Sequence, residues 1–155
     1  MPSHNHAILT AEIIALSEAD NWSVARQEWH LQSIYFEEEP STCLCSHFPI
    51  IEVCVLVNAK NGNTAEVGNV CVNKFLGIPS KIIFDGLKRV ANDQDKALNI
   101  PAVDYIRKKG WINDWEYGFL NDTSRKRTLS PKQAAKRHQI NQRILKNVKR
   151  SKKNI

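Results

Sequence analysis

Thr42-Cys43-Leu44-Cys45-Ser46-His47-Phe48-Pro49-Ile50-Ile51, and then Val67-Gly68-Asn69-Val70-Cys71-Val72-Asn73-Lys74-Phe75, are the stretches on which the fold turns. Between them, Pro49–Val57 is rich in Ile and Val and reads as a strand. Ala59-Lys60-Asn61-Gly62-Asn63 reads as a turn, because Asn-Gly tolerates positive φ, and Thr64–Val67 returns as the second strand of a hairpin. Gly68-Asn69 hands over to a short helix, Val70–Leu76, for which Asn69 is a candidate N-cap.

All four cysteines, Cys43, Cys45, Cys54 and Cys71, lie in this region, with His47 two residues beyond Cys45. Four are too few for a disulfide scaffold in a chain of 155 residues, and their clustering points to metal. A tight cysteine turn, a hairpin and a cysteine at a helix start form the layout of a treble-clef-like zinc site. Zinc takes four nitrogen or sulfur donors in a tetrahedron, and the helix dipole favours a thiolate at its N-terminus. The expected ligands are Cys43, Cys45, His47 and Cys71, with Cys54 the alternative to His47. Cys-x-Cys is tighter than the usual ligand spacing, and Cys54, between Val53 and Val55, also reads as a small buried hydrophobe. Buried free thiols and a redox pair are the competing readings. With four candidate donors and no Glu or Asp base beside them, a structural zinc is expected rather than a catalytic one.

The same residues carry a resemblance. Thr42–Ile51, then Asn58 before the turn, then Val67–Phe75 resemble a small zinc-binding module of uncharacterised bacterial and phage proteins. That module has two close cysteines, an Ile-rich strand, an Asn before the turn and Val-Gly-x-x-Cys-Ile/Val-x-x-Phe. The likeness spans about residues 42–76, and members usually have Gly where Ser46 stands. It implies a metal-binding fold and supplies no reaction. A second stretch, Asn113–Leu120 with Leu129-Ser130-Pro131-Lys132-Gln133 and Ile140, looks like a helical segment of phage and plasmid proteins of DNA metabolism. Trp115, Glu116, Phe119, Leu129, Ser130, Lys132 and Gln133 carry that likeness. Together they imply a phage or mobile-element origin.

Outward from this centre the pattern is helical. Thr10–Phe36 reads as one or two helices, with Ile13, Ile14, Trp22, Ala25 and Trp29 at steps of three or four, Asp20 or Asn21 capping the second, and Glu37-Glu38-Glu39-Pro40 as the stop. Ser80 can cap a helix over about Lys81–Ala91, and Asp93–Leu98 connects onward. Pro101 leads into Ala102–Lys109, ended by Gly110. Asn113 or Asp114 can cap a helix through Trp115, Phe119 and Leu120, and Ser130-Pro131 starts the last one. The expected architecture is α+β: mostly helical, with one β-hairpin in a zinc module and a long basic C-terminal helix. Residues 1–120 form the expected globular domain (helices 10–36, zinc module 42–76, helices 80–120) and 121–155 a basic extension.

Charge divides in the same way. Residues 121–155 hold 12 Lys or Arg against Asp122 alone, leaving ten basic and fifteen acidic residues in the rest, within an overall +6. At about 100° per residue, Lys136, Arg143, Lys146, Arg150 and Lys153 share a ridge with Lys132, while Ile140, Ile144, Leu145 and Val148 lie on the far side. Such a ridge can track a phosphate backbone, and Arg125-Lys126-Arg127 adds a second cluster. The competing readings are a solvated face, or a tail leaning on its own acidic body. Trp22, Trp29, Trp111 and Trp115 are candidates for stacking on bases or for the core, while His30 and His138 lack partner spacing and His4 and His6 fall in an expected disordered terminus.

There is no phosphate-cradling glycine loop, nucleophile elbow or paired histidine motif, so no enzyme is expected, nor a small-molecule substrate. The longest apolar run, Phe48–Val57, is broken by Glu52, and the N-terminus lacks the order of a secretory signal. The expectation is a cytoplasmic, zinc-stabilised nucleic-acid-binding protein, with DNA favoured over RNA and no membrane partner. The alternative is a phage-type inhibitor or adaptor of a host protein that uses zinc as scaffold.

Overall fold

The computed structural model describes residues 4–150. The chain is an α+β protein that divides into two compact units, 4–80 with 149–150, and 81–148. Unit one carries α1 (His4–Ala15), α2 (Trp22–Ala25) running into a short 3-10 turn (Arg26–Glu28), β1 (Trp29–Ser41), β2 (Ile50–Asn58), β3 (Thr64–Gly68), α3 (Asn69–Cys71) with a π-type turn (Val72–Leu76), and β4 (Lys149–Arg150). The second unit is helical: α4 (Ser80–Asn92, begun by the last residue of unit one), α5 (Ile100–Lys108), α6 (Asp114–Thr123) and α7 (Pro131–Val148).

The sheet has strand order β3-β2-β1-β4, antiparallel except for β4, which lies parallel to β1. Ile34 pairs with Cys54 and Cys54 with Val67, and all three are fully buried. Leu9 and Ile13 of α1 and Ala25 of α2 are also fully buried in this unit. The hairpin forms where the Ile/Val run and Asn-Gly place it. Asn58 organises its turn, accepting from the Lys60 and Asn61 N–H groups at 2.8 and 3.2 Å and donating to Glu28 at 2.9 Å. That donation, with the N–H groups of Glu18 and Ala19, holds the Glu28 carboxyl below its ordinary range.

Residues 29–41 are the main departure from the helical expectation over Thr10–Phe36. They form the longest strand, and Glu37-Glu38-Glu39-Pro40 continue it rather than ending a helix. Four of its five buried positions, Trp29, Ser33, Glu37 and Ser41, recur every four residues, a step that suits a strand face as well as a helix face, and Ile34 is buried on the other face. The register slips at Gln32 and again between Phe36 and Ser41, which blurs the two-residue alternation. The cap at Asn21 is present, accepting from the Val24 N–H at 3.1 Å. Asn69 does not cap: Gly68 holds that position, and the Asn69 side chain instead donates to Glu52 and accepts from Ser80. His4 and His6 belong to α1, where the His6 ring lies 4.3 Å from that of Phe75, rather than to a disordered end.

Apart from Ser80, whose hydroxyl donates to Asn69 instead of capping α4, the caps of the helical unit fall where the sequence puts them. Asn99 accepts from Ala102 N–H ahead of the Pro101 turn, Asn113 and Glu116 form a capping box, and Ser130 and Gln133 form another. The boundary expected near residue 120 is not where the units divide, because α7 is a core element. Ile140, Ile144 and Val148 are fully buried, and Arg137 and Asn141 are buried against the carbonyls of Thr123, Gln94, Asp95 and Lys96. The helix stops at Val148, so Arg150 leaves the basic ridge and its guanidinium binds Glu37 and Glu66 within the sheet unit. Lys153 lies outside the described residues.

Glu116 ties α6 to α7. Burial pushes its pKa up, but the Arg143 guanidinium at 2.7 Å, the Asn113 N–H and Lys136 together outweigh this and hold it below the ordinary value of 4.5. A carboxyl lowered in the folded state stabilises fully above its unfolded pKa and loses that contribution as pH falls through the folded one. Glu116→Gln keeps a capping-box acceptor and removes the charge. We expect its Tm to lie below wild type near neutrality and to converge on it as acid is added below about pH 4, read by thermal melts across pH.

Candidate functional site

The cysteine cluster is built from three segments of unit one. Cys43 opens a tight turn in which its carbonyl accepts from Ser46 N–H at 2.8 Å and its own N–H donates to the His47 carbonyl at 2.9 Å. The turn closes with Ser46 at φ +75°, in the left-handed region that favours glycine. It also directs the Cys45 N–H at the Cys43 Sγ, 3.5 Å away. A second N–H reaches the same sulfur from Gly68, at 3.2 Å, where β3 ends. A Cβ on Gly68 would lie 3.3 Å from Ile50 and 3.7 Å from the Cys43 Sγ, so glycine lets the backbone come this close. One turn further on, Cys71 places its Sγ 3.5 Å from that of Cys45.

The sulfurs of Cys43, Cys45 and Cys71 all lie within 4.8 Å of one another. Zinc–sulfur bonds of about 2.3 Å in a tetrahedron set sulfur–sulfur edges of about 3.8 Å, so the three form one face of such a site. The group can hold a metal ion. Its electrostatics agree. The Cys71 thiol hydrogen-bonds the Cys43 sulfur and, with the two backbone N–H groups, outweighs burial to draw the Cys43 pKa down to about 5. The Cys71 thiol is pushed up, by holding its proton against Cys43 and by burial.

His47 is exposed and outside this group, contributing its backbone carbonyl to the turn rather than its ring to the sulfurs. Cys54 is also outside it. Buried in the sheet core, its thiol is pushed up to about 12 by desolvation, the state of a small core residue. The helix start acts differently from the expectation: its Gly68 N–H serves Cys43, not Cys71. Sequence reading also missed Asn5, whose side-chain amide donates to the Cys45 carbonyl at 3.0 Å. Only the pairing of α1 with this loop reveals it.

The chain matches no known protein family, no curated protein and no solved structure. What the site can do therefore follows from its own donors.

The basic residues separate into two classes. Arg143 binds Glu116, Lys136 lies 3.7 Å from the same carboxylate, and Arg150 binds Glu37 and Glu66. For Arg150 the leaning of the tail on its own acids is the arrangement found. By contrast, Arg125, Lys126, Arg127, Lys132 and Lys146 are exposed and form no ion pair among the described residues. All five belong to the helical unit. Of the tryptophans, Trp29 is buried and donates to Ser17 Oγ at 2.8 Å, and Trp22 and Trp111 are part-covered beside His6 and Tyr105. Trp115 is 63% exposed. His138 has a partner that its spacing did not announce, Asp95 at 2.9 Å.

Two outcomes follow for the sulfur cluster. Native mass spectrometry after loading with divalent metal should find one ion per chain, lost in Cys43→Ser, Cys45→Ser and Cys71→Ser and retained in Cys54→Ala. Ser46→Gly, relieving a left-handed residue that costs about 1 kcal/mol, should raise Tm without changing the metal stoichiometry.

Proposed function

We propose that this is a zinc-stabilised nucleic-acid-binding protein in which the metal fixes the sheet unit and the cations of the helical unit contact phosphate. The observation that carries the binding half is that Arg125, Lys126, Arg127, Lys132 and Lys146 stand exposed without a carboxylate while neighbouring cations are paired. Unpaired surface cations on one unit favour a polyanion and make its binding salt-dependent. The three-sulfur face carries the metal half. Thiolates suit zinc over the hard cations, and a turn, a hairpin and a helical cysteine in that order suit a treble-clef-like structural site. Three sulfurs leave one vertex, for which His47 on the same turn is the nearest in sequence of the expected donors. In this reading the role is binding rather than catalysis, DNA is favoured over RNA, and the setting is phage-type. Among the described residues, no helix is long and apolar enough to cross a membrane.

The second reading, a protein-interaction factor, is favoured by a different observation. Phe48, Ile51 and Val70, in the segments that bear the cysteines, are 60%, 52% and 74% exposed. Large apolar side chains left in water suit a protein partner.

Binding to random-sequence DNA and RNA across a salt series separates the two. We expect affinity to fall with a log–log slope that grows by about 0.7 to 0.9 for each cation in phosphate contact. Reversing Arg127, Lys132 and Lys146 to Glu should reduce both slope and affinity, whereas reversing Arg150 should mainly lower Tm. No binding at low salt refutes this reading and leaves the interaction factor. Chelation should abolish cooperative unfolding, since metal-binding free energy is folding free energy in a site of this kind; an unchanged melt removes zinc from the proposal.

A further inference from the structure

One face of α6 ends in a cleft that the fold does not use. Trp115, Gly118, Phe119 and Asp122 share one helical face and line it with Thr123, Lys126, Gln133 and Asp114, whose carboxylate is already bound to Arg107, and its volume is about 390 Å³. Trp115 and Phe119 stack on one another, ring centroids 5.3 Å apart and planes within 5°. The stack holds a large aromatic ring rigid in water, although the other three tryptophans are covered or part-covered. Lys136 Nζ lies 5.6 Å from the Trp115 centroid.

Gly118 sharpens the case. A glycine inside a helix is about 1 kcal/mol worse than alanine, and a Cβ here would meet nothing within 4 Å. Packing therefore gives no reason for the missing side chain, and its effect is to keep the cleft open beside the rings. Lys126 lines the cleft, and the exposed cations Arg125, Arg127 and Lys132 lie beside it in sequence or on the first turn of α7. Within it, Asp122 supplies a carboxylate that can accept from an amine.

We propose that this cleft seats one unstacked nucleobase of a single strand, its ring extending the Trp115–Phe119 stack by one face, an exocyclic amine facing Asp122, and a flanking phosphate on Lys126. The proposal rests on the phosphate-binding reading above and names its substrate class. A flat aromatic platform takes a ring face, and only an unpaired strand presents one; a duplex keeps its bases stacked. An acidic peptide would match the cations but would bring its carboxylates to Asp122.

The test uses the full-length protein with a short deoxyadenosine homopolymer, alone or annealed to its complement, followed by fluorescence anisotropy at low salt. Single strand should bind more tightly than duplex. Trp115→Ala should weaken single-strand binding by about 5- to 100-fold, the range of one stacked base, with duplex binding unchanged. Trp115→Phe should recover most of the loss. Gly118→Leu, which fills the cleft, should weaken single-strand binding while helix content by circular dichroism stays at wild-type level. If Trp115→Ala and Gly118→Leu bind the single strand like wild type while Arg127→Glu/Lys132→Glu loses it, the base site is refuted and the phosphate reading survives. If wild type binds neither probe, both fall.

Discussion

Three thiols gathered within a few ångströms cannot all ionise unless a cation joins them. In this protein they are gathered by backbone rather than by side-chain preference: a left-handed Ser46 closes the first turn, a glycine at the end of β3 comes within hydrogen-bond distance of Cys43, and the next helical turn delivers Cys71. Within the cluster the Cys71 thiol, by hydrogen-bonding the Cys43 sulfur, draws Cys43 towards thiolate while its own ionisation is opposed. A divalent ion removes that opposition, since a coordinating thiol gives up its proton outright. Much of unit one meets at this point, because the hairpin, α1 through Asn5 and α3 through Cys71 each contribute an edge.

The hairpin and the helix caps were legible in the sequence because each rests on neighbours in the chain. An Ile/Val run with Asn-Gly, an Asn three residues before Glu116, and Ser-Pro before α7 each carry their signal within a few positions. The three sulfurs were legible for the same reason, since a turn, a hairpin and a helix can be counted along the chain. β1 was not, because apolar and small residues four apart satisfy a helix and a strand equally. What chose the strand is its pairing with β2, a partner that begins nine residues after it ends. Between His47 and Cys54 spacing alone did not choose, and burial has put one on the surface and the other in the core.

The basic segment shows a further limit of pattern reading. A helical wheel sorts residues by angle and takes no account of acids elsewhere in the chain. Glu116 captures Arg143 and draws Lys136, and Glu37 with Glu66 captures Arg150 from far away in sequence. Of the cations expected to bind phosphate, those left without an ion pair among the described residues are therefore mostly in the loop before α7 and on its first turn, and the ridge is shorter than its sequence. On α7 itself Glu116 offsets the charge of Arg143 and Lys136.

The parallel pairing of Lys149 and Arg150 with Phe36 and Glu37 has a consequence for synthesis. Arg150 lies 113 residues beyond Glu37, so a ribosome must deliver all of those residues before the outer edge of β1 finds that partner. The acidic run Glu37-Glu38-Glu39 and Pro40 lie along that edge, where like charges and a missing N–H discourage pairing with a stranger. Those residues make the open edge a poor template for other strands, and β4 covers it only at Phe36 and Glu37.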